Sequence, residues 1–403
     1  MNRVFRGGMA AVLVAAAFSP LAQGAGFGLY EGSARGNALG GTLTGRADDP
    51  SAIFYNPAGI TQLPGDQFMV GVTFIRPQTD VTTLTPAGKV TTSTEKNWWY
   101  PPHAYYTHGF NDKLWAGLGL YSRFGLGTEF PSTWPGRYNS YDARIQSLTL
   151  NPNLAYKLTD KLSVAAGFDA VWFDMQLKRM ALVHGADVPV EMKGDAWGYG
   201  FNLAARYALT ESVAIGATYI SKVKEDISGT ATAGSASTGA SGGVELPQEG
   251  TVALMFKPAD KLSVEVGVTV TGWKSYDSLN VKFDNPAILG PEINSAKNWS
   301  NAFRYQAGVE YEATRACVLR AGYVYDEEPI PLQTADYLVP GNDRHLLSAG
   351  FGYRWQSWVL DVSYTYLMIT DRHIPARLAE GVFESDFSNG NAHMLGVSVS
   401  TKL

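Results

Sequence analysis

The sequence predicts an all-β membrane protein, a fourteen-stranded antiparallel transmembrane β-barrel with an N-terminal hatch plugging the lumen. Three observations predict it. Apolar residues recur with period two in one segment after another. Tight polar turns alternate strictly with long irregular connections. The stretch ahead of the first alternating segment does not alternate at all. Period two places alternate side chains on opposite faces of a strand. A soluble sandwich alternates too, so the turn rhythm discriminates: short turns at one rim and long loops at the other belong to an outer-membrane barrel.

The chain opens with a signal peptide, residues 1–24. Arg3 and Arg6 form its positive region, Met9 to Phe18 its apolar region, and Pro20 ends that run before Ala22-Gln23-Gly24. Cleavage after Gly24 starts the mature chain at Ala25. The apolar run is far short of the roughly 20 residues a spanning helix needs, and no later run reaches that length. Loss of the two arginines takes the net charge from -5 to -7. That mildly acidic balance argues against nucleic acid as a partner. The single cysteine, Cys317, allows no internal disulfide. Export without a spanning helix points to the bacterial outer membrane, with outer-membrane lipid around the barrel.

Residues 25–65 form the hatch. They are mostly small and polar, with Phe27, Leu29, Tyr30, Leu39 and Ile53 to Tyr55 as apolar anchors. Within them, Ala47 to Gly59 reads A-D-D-P-S-A-I-F-Y-N-P-A-G. Pro50 and Pro57 lack a backbone donor and push the residue before each out of the helical region. Asp49-Pro50 and Asn56-Pro57 are therefore turns around a short apolar knot, and the Asp48-Asp49 pair reads as turn-forming. So short a segment builds a core only inside something else, and a fourteen-stranded barrel is wide enough to hold it.

Residues 66–403 form the barrel. Strands fall near 66–76, 98–110, 113–122, 144–157, 161–178, 194–208, 212–226, 246–257, 261–283, 298–312, 316–326, 344–355, 358–369 and 391–402. Most exceed the roughly 9–11 residues a tilted strand needs to cross a bilayer. Trp197, Tyr199, Phe201, Leu203 and Tyr207 share one face against Gly198, Gly200, Asn202 and Arg206. Leu347, Phe351, Tyr353 and Trp355 alternate likewise with Ser348, Gly350, Gly352 and Arg354. Six tight turns, such as Asn111-Asp112-Lys113 and Thr159-Asp160-Lys161, face seven long loops. Among the loops, 227–245 is of low complexity and is expected to be mobile. Trp98, Trp99, Tyr100, Tyr105, Tyr106, Trp197, Trp355 and Trp358 are expected in the interfacial aromatic belts. The final strand closes on the first, and an even strand count puts both ends of the mature chain on the periplasmic side.

Several ordered motifs carry a resemblance. Ala25-Gly26-Phe27, the stretch D-D-P-S-A-I-F-Y-N-P-A-G, Phe124 to Tyr138 (F-G-L-G-T-E-F-P-S-T-W-P-G-R-Y) and Leu150 to Leu158 belong to it. So do G-Y-V-Y-D-E-E-P-I-P after Tyr305 and Asp343 to Tyr353. Over essentially its whole mature length the chain resembles the FadL family of outer-membrane transporters for long-chain fatty acids, which includes transporters of aromatic hydrocarbons. One departure is the last residue, Leu403, where such barrels commonly end on an aromatic. The resemblance implies a monomer that captures a hydrophobic small molecule at an apolar groove of its extracellular loops. The substrate then passes to a pocket near the mature N-terminus and leaves sideways through the wall at a kinked third strand. By the same resemblance Phe27 lines the inner pocket, and Asn56, Pro57 and Ala58 hold the hatch. Phe124, Leu126 and Trp134 belong to the capture loop. Gly117, Gly119, Gly125 and Gly127 would permit the kink, or merely relieve crowding in a curved strand.

A carboxylate head group wants one cationic partner at the end of an apolar pocket. Alternation turns Arg304 into the lumen, and it is the candidate. Against this, the turn at 313–315 pairs Glu310 with Arg320, and the same register pairs Arg304 with Asp326, as wall-holding ion pairs. The six histidines have no metal-ligand spacing. No nucleophile elbow, Walker loop or dinucleotide fingerprint occurs. The sequence therefore points to no catalytic residue, metal or cofactor, and to transport of a fatty acid or similar compound. The alternatives are uptake of monoaromatic hydrocarbons and a general porin for polar solutes.

Overall fold

The computed structural model describes residues 26–403; the expected signal peptide 1–24 and the mature start at Ala25 lie outside them. Fourteen strands form the barrel wall: β1 (Asp66–Thr85), β2 (Pro102–Gly109), β3 (Leu114–Tyr121), β4 (Asp142–Lys157), β5 (Leu162–Val183), β6 (Ala186–Ala208), β7 (Val213–Ile220), β8 (Glu249–Ala259), β9 (Leu262–Thr271), β10 (Ala302–Glu312), β11 (Cys317–Asp326), β12 (Arg344–Trp355), β13 (Trp358–Ile369) and β14 (Ser385–Lys402). Each pairs antiparallel with the next. β14 pairs back onto β1 from Gln67↔Lys402 to Thr83↔Ser385, which closes the sheet. In hydrocarbon every backbone donor and acceptor must be met within the protein, and closure meets them all along both would-be edges.

The faces follow the sequence pattern. Trp197, Tyr199, Phe201, Leu203, Leu347, Phe351 and Tyr353 stand exposed, while Asn202, Ser348, Ser363 and Ser398 are buried against the lumen contents. An apolar surface this continuous needs a hydrocarbon surround. Six of the eight expected belt residues are exposed. Trp99 and Tyr105 are not among them. Adjacent aromatics cannot share one face at period two, so each of these turns inward. The Tyr105 hydroxyl donates to the Gly32 carbonyl at 2.7 Å.

Four stretches expected as loops are folded instead. β5 and β6 run on through 179–195 and turn at His184-Gly185, where both residues have positive φ, as a two-residue hairpin requires. The low-complexity stretch 227–245 is not mobile coil but a hairpin, Val223–Ala233 with Ala236–Leu246, docked on β6 through Ser228↔Asp195. A third hairpin joins Ser278–Phe283 to Glu292–Ala296. β1 itself continues past 76 to pair with Gly88–Ser93. Conversely, β7 and β9 stop at Ile220 and Thr271, short of the expected ends. Most of 228–243 is Ser, Thr, Ala and Gly, so hydrophobic alternation gives little sign of that hairpin, whereas Leu279, Val281 and Phe283 do alternate and continue the period of the strand before them.

Residues 26–65 fill the lumen with α1 (Ala34–Ala38), α2 (Ala52–Tyr55) and a 3-10 helix (Pro57–Gln62). Ser33 caps α1 by accepting from the Gly36 N–H at 3.0 Å. The hatch backbone lies directly on the wall: a side chain at Gly308 or Gly322 would strike the backbone of Leu39. Gly117 and Gly119 on β3 have the same purpose, because Ile53 of α2 fills the space beside them. They accommodate the hatch and do not make the kink. Arg35 of α1 binds Asp48 (2.7 Å), Asp49 (2.9 Å) and Glu310 of β10 (2.9 Å). Glu310 in turn meets Arg320 at 2.6 Å. Buried charges survive only when paired in this way.

Candidate functional site: a cavity through the barrel wall

The wall has one irregular place beside β3. β2 and β3 pair from Gly109↔Trp115 up to His103↔Tyr121. Ser122 to Phe124 then break the strand, which resumes as Gly125–Glu129 and pairs with β4 alone. Among the described residues no backbone hydrogen bond joins 96–102 to 122–128; the next contact above is Glu95 N–H to Glu129 O at 2.7 Å. The free edge is occupied by the N-terminal strap. Gly28 bridges Phe124, the Leu29 N–H donates to Arg123 O at 2.7 Å, and the Gly125 N–H donates to Phe27 O at 3.0 Å. Arg344 of β12 adds a third tie, donating to the Gly26 carbonyl at 2.7 Å.

A cavity of about 540 Å³ adjoins this break, within the range of roughly 300–1,000 Å³ typical of small-molecule sites. Its lumen side is lined by Leu29, Tyr30, Arg304 and Leu346, and its far side by Trp98, Tyr100, Leu148 and Trp172. Trp98 and Tyr100 are exposed on the barrel exterior. The cavity therefore runs from the lumen through the wall.

Next to it the Phe27 ring sits among four aromatic rings. Its centroid is 4.7 Å from Trp273, 5.6 Å from Tyr276, 5.7 Å from Trp299 and 6.0 Å from Phe124. Edge-on contacts of this kind add about 0.5–1.5 kcal/mol per pair beyond area burial. Two residues before Trp299, Lys297 makes a buried ion pair at 2.7 Å with Asp336 of the loop between β11 and β12.

At the polar end of the cavity, Arg304 binds Asp326 at 3.0 Å and lies 4.1 Å over the Tyr30 ring. Arg304 stands opposite Asp326 and Glu310 opposite Arg320, the register expected from the turn at 313–315. Glu31 of the hatch lines the same end, and burial pushes its carboxyl up against the opposing pull of Arg304.

The expected site residues thus separate. Phe124, Leu126 and Arg304 line the cavity. Phe27 is beside it, sealed in the aromatic cluster. Trp134 is not in the lining; it stacks on Phe130 at 4.0 Å and meets Tyr337 edge-on at 4.7 Å in the outer loops. Asn56 is fully buried and caps the 3-10 helix by accepting from the Ala58 N–H at 3.1 Å. Its amide donates to Thr44 O at 2.7 Å and to Ala205 O of β6 at 3.0 Å. Pro57 takes the first helical position, where no donor is missed. Trp273, Tyr276 and Trp299 escaped the sequence reading because the expected strands 261–283 and 298–312 ran over them, whereas β9 ends at Thr271 and β10 starts at Ala302. At the outer mouth Met175, Leu177, Met192, Ile227 and Leu279 line a small apolar groove between the standing hairpins.

The model of the outer membrane transport protein family OMPP1/FadL/TodX matches residues 15–403. A long-chain fatty acid transport protein of Escherichia coli O6:H1 is 26% identical over 96% of this chain and 97% of its own length. Outer membrane protein P1 of Haemophilus influenzae is 26% identical over 86% of each. Among solved structures, a Pseudomonas aeruginosa FadL homologue superposes with a TM-score of 0.83 at 19% identity, over 94% of this chain and 99% of that one. The Ralstonia pickettii toluene transporter TbuX gives 0.69 at 21% identity, over 91% and 97%.

Proposed function

The chain belongs to the outer membrane transport protein family OMPP1/FadL/TodX, and from that premise we propose that it takes up long-chain fatty acids or similarly hydrophobic compounds by lateral release. The barrel sits in the bacterial outer membrane. One observation carries the reading: the cavity joins the N-terminal strap to the membrane-facing surface at the break beside β3.

Burial of each methylene stabilises a bound chain by about 0.8 kcal/mol. A water-filled pore offers such a ligand nothing, whereas an exit through the wall returns it to hydrocarbon. In this scheme the apolar groove at Met175, Ile227 and Leu279 captures the substrate, with Trp134 holding the loop beside it. The substrate next fills the inner pocket, where its chain can replace Phe27 against Trp273 and Trp299 and offset the loss of those contacts. Withdrawal of the strap from Arg123 and Gly125 then opens the edge of the broken strand. Phe124 and Leu126 line the way out, Arg304 meets a carboxylate head group, and Asn56-Pro57-Ala58 keeps the hatch closed to ions. We infer a monomer, in which one closed barrel and its own hatch form the whole path.

Arg304 is already matched by Asp326. That pairing favours, as the second reading, neutral substrates such as monoaromatic hydrocarbons. Growth of a deletion strain carrying this chain, on oleate and separately on toluene, tests the two. Growth on neither, with steady large ion conductance, means a porin.

A further inference from the structure

We propose that Trp99 is a side-chain shutter over the wall opening and sets the cross-section of what passes; the proposal rests on the lateral-release reading above. The segment carrying Trp99 is fixed to β1 by three consecutive contacts. Ile75 and Trp99 exchange two hydrogen bonds of 2.9 Å each. The Arg76 guanidinium lies 5.8 Å over the Trp98 ring, and Phe74 meets Tyr100 edge-on at 5.6 Å. Both flanking aromatics face the membrane, with Trp98 46% and Tyr100 57% exposed. Period two therefore turns Trp99 the other way, across the opening.

There it meets Gly127 on the far side of the break. The indole occupies the space that any side chain at 127 would need. Leu29 of the strap stands on Gly125 in the same manner, 2.7 Å from where a Cβ would be. The opening is thus covered by two neighbouring parts. The strap is main chain and moves only by breaking hydrogen bonds. Trp99 is a single side chain on a fixed hinge.

Its seat is built for leaving. The Trp99 indole N–H is buried without an acceptor, so the closed position forgoes a hydrogen bond and holds the ring by contact alone. Rotation about the side-chain bonds lifts the ring, frees the N–H for a partner, and leaves the backbone in place. The slot uncovered is the size of the indole that filled it, which suits a straight alkyl chain or a small flat aromatic and rejects branched molecules and fused systems as broad as pyrene.

The test uses the full chain in cells lacking their own transporter, with barrel folding checked by heat-modifiable migration on gels. Trp99→Ala and Gly127→Val are compared with the unaltered chain for initial uptake of labelled oleate and of pyrene. Gly127→Val evicts the indole while keeping every tryptophan, and it carries the test if Trp99→Ala fails to fold. Either variant is expected to raise pyrene uptake about tenfold, equal to about 1.4 kcal/mol off the exit barrier, with oleate little changed. If both folded variants match the unaltered chain on pyrene while oleate uptake is normal, the shutter is overturned and lateral release stands. If the unaltered chain takes up neither compound, the transport reading itself fails.

Discussion

Asn56→Ala removes the hinge pin of the hatch. The amide makes three hydrogen bonds: to Thr44 O at 2.7 Å, to Ala205 O at 3.0 Å, and from the Ala58 N–H at 3.1 Å. Each contributes about 1 kcal/mol net, and a stranded buried partner costs about 1–3 kcal/mol. The Thr44 carbonyl and the Ala58 N–H become such partners, so the loss is about 3–5 kcal/mol. It falls on the hatch, because the strand ladders do not involve the Asn56 side chain. A shift of about 3 kcal/mol raises the population of an unseated hatch by roughly a hundredfold. The assay is single-channel recording in planar bilayers, with limited proteolysis of 26–65 as a second readout. Brief large openings and new cleavage are expected while the barrel still migrates as folded on gels. Asn56→Asp keeps one acceptor but faces two carbonyl oxygens with a carboxylate, and is expected to behave no better than alanine. If both variants stay silent and protease-resistant, Asn56 does not pin the hatch.

Three further outcomes are expected. Deleting Ala47–Gly59 should convert the protein into a steady ion pore, since α2 and the 3-10 helix pack the hatch against β3 to β6; unchanged low conductance would remove the plug assignment. Arg304→Ala alone strands Asp326, at a cost of about 3–5 kcal/mol. The double change with Asp326→Asn separates stability from binding: oleate affinity should fall about tenfold with toluene affinity unchanged, and equal oleate affinity would end the head-group role. Glu328, in the extracellular 327–343 loop, is pushed up to about 8 by burial, against the pull of Arg372. Its folded form holds the proton more tightly than the unfolded form. The stability it lends the loop is therefore full at low pH and lost as pH rises from about 5 through 8. Hydrogen exchange of that loop should quicken over this window, and Glu328→Gln should abolish the dependence.

Much of the wall was legible because membrane, sheet and lumen impose one chemistry on each face. Leu150 and Leu154 outward, Asn151 and Asn153 inward, needed only period two. The Arg304–Asp326 and Glu310–Arg320 pairs followed from one turn and a register count. The hatch was visible as a stretch too short to make its own core. What stayed hidden depends on contacts that local pattern does not encode. The hairpin at 223–246 is specified by pairing with the outer half of β6, and its Ser, Thr, Ala and Gly residues have no apolar face to announce it. Gly117 and Gly127 look alike in sequence, yet one makes room for Ile53 and the other for Trp99. Trp99 itself reads as one more belt aromatic until the neighbours that fix its backbone are known.

A plugged barrel of this kind passes hydrophobic molecules through its wall and keeps ions out. The most direct measurement pairs oleate uptake by transporter-deficient cells expressing this chain with ion conductance of the same purified protein in planar bilayers. Saturable uptake together with a silent bilayer is expected. Steady large conductance without oleate or toluene uptake would contradict it.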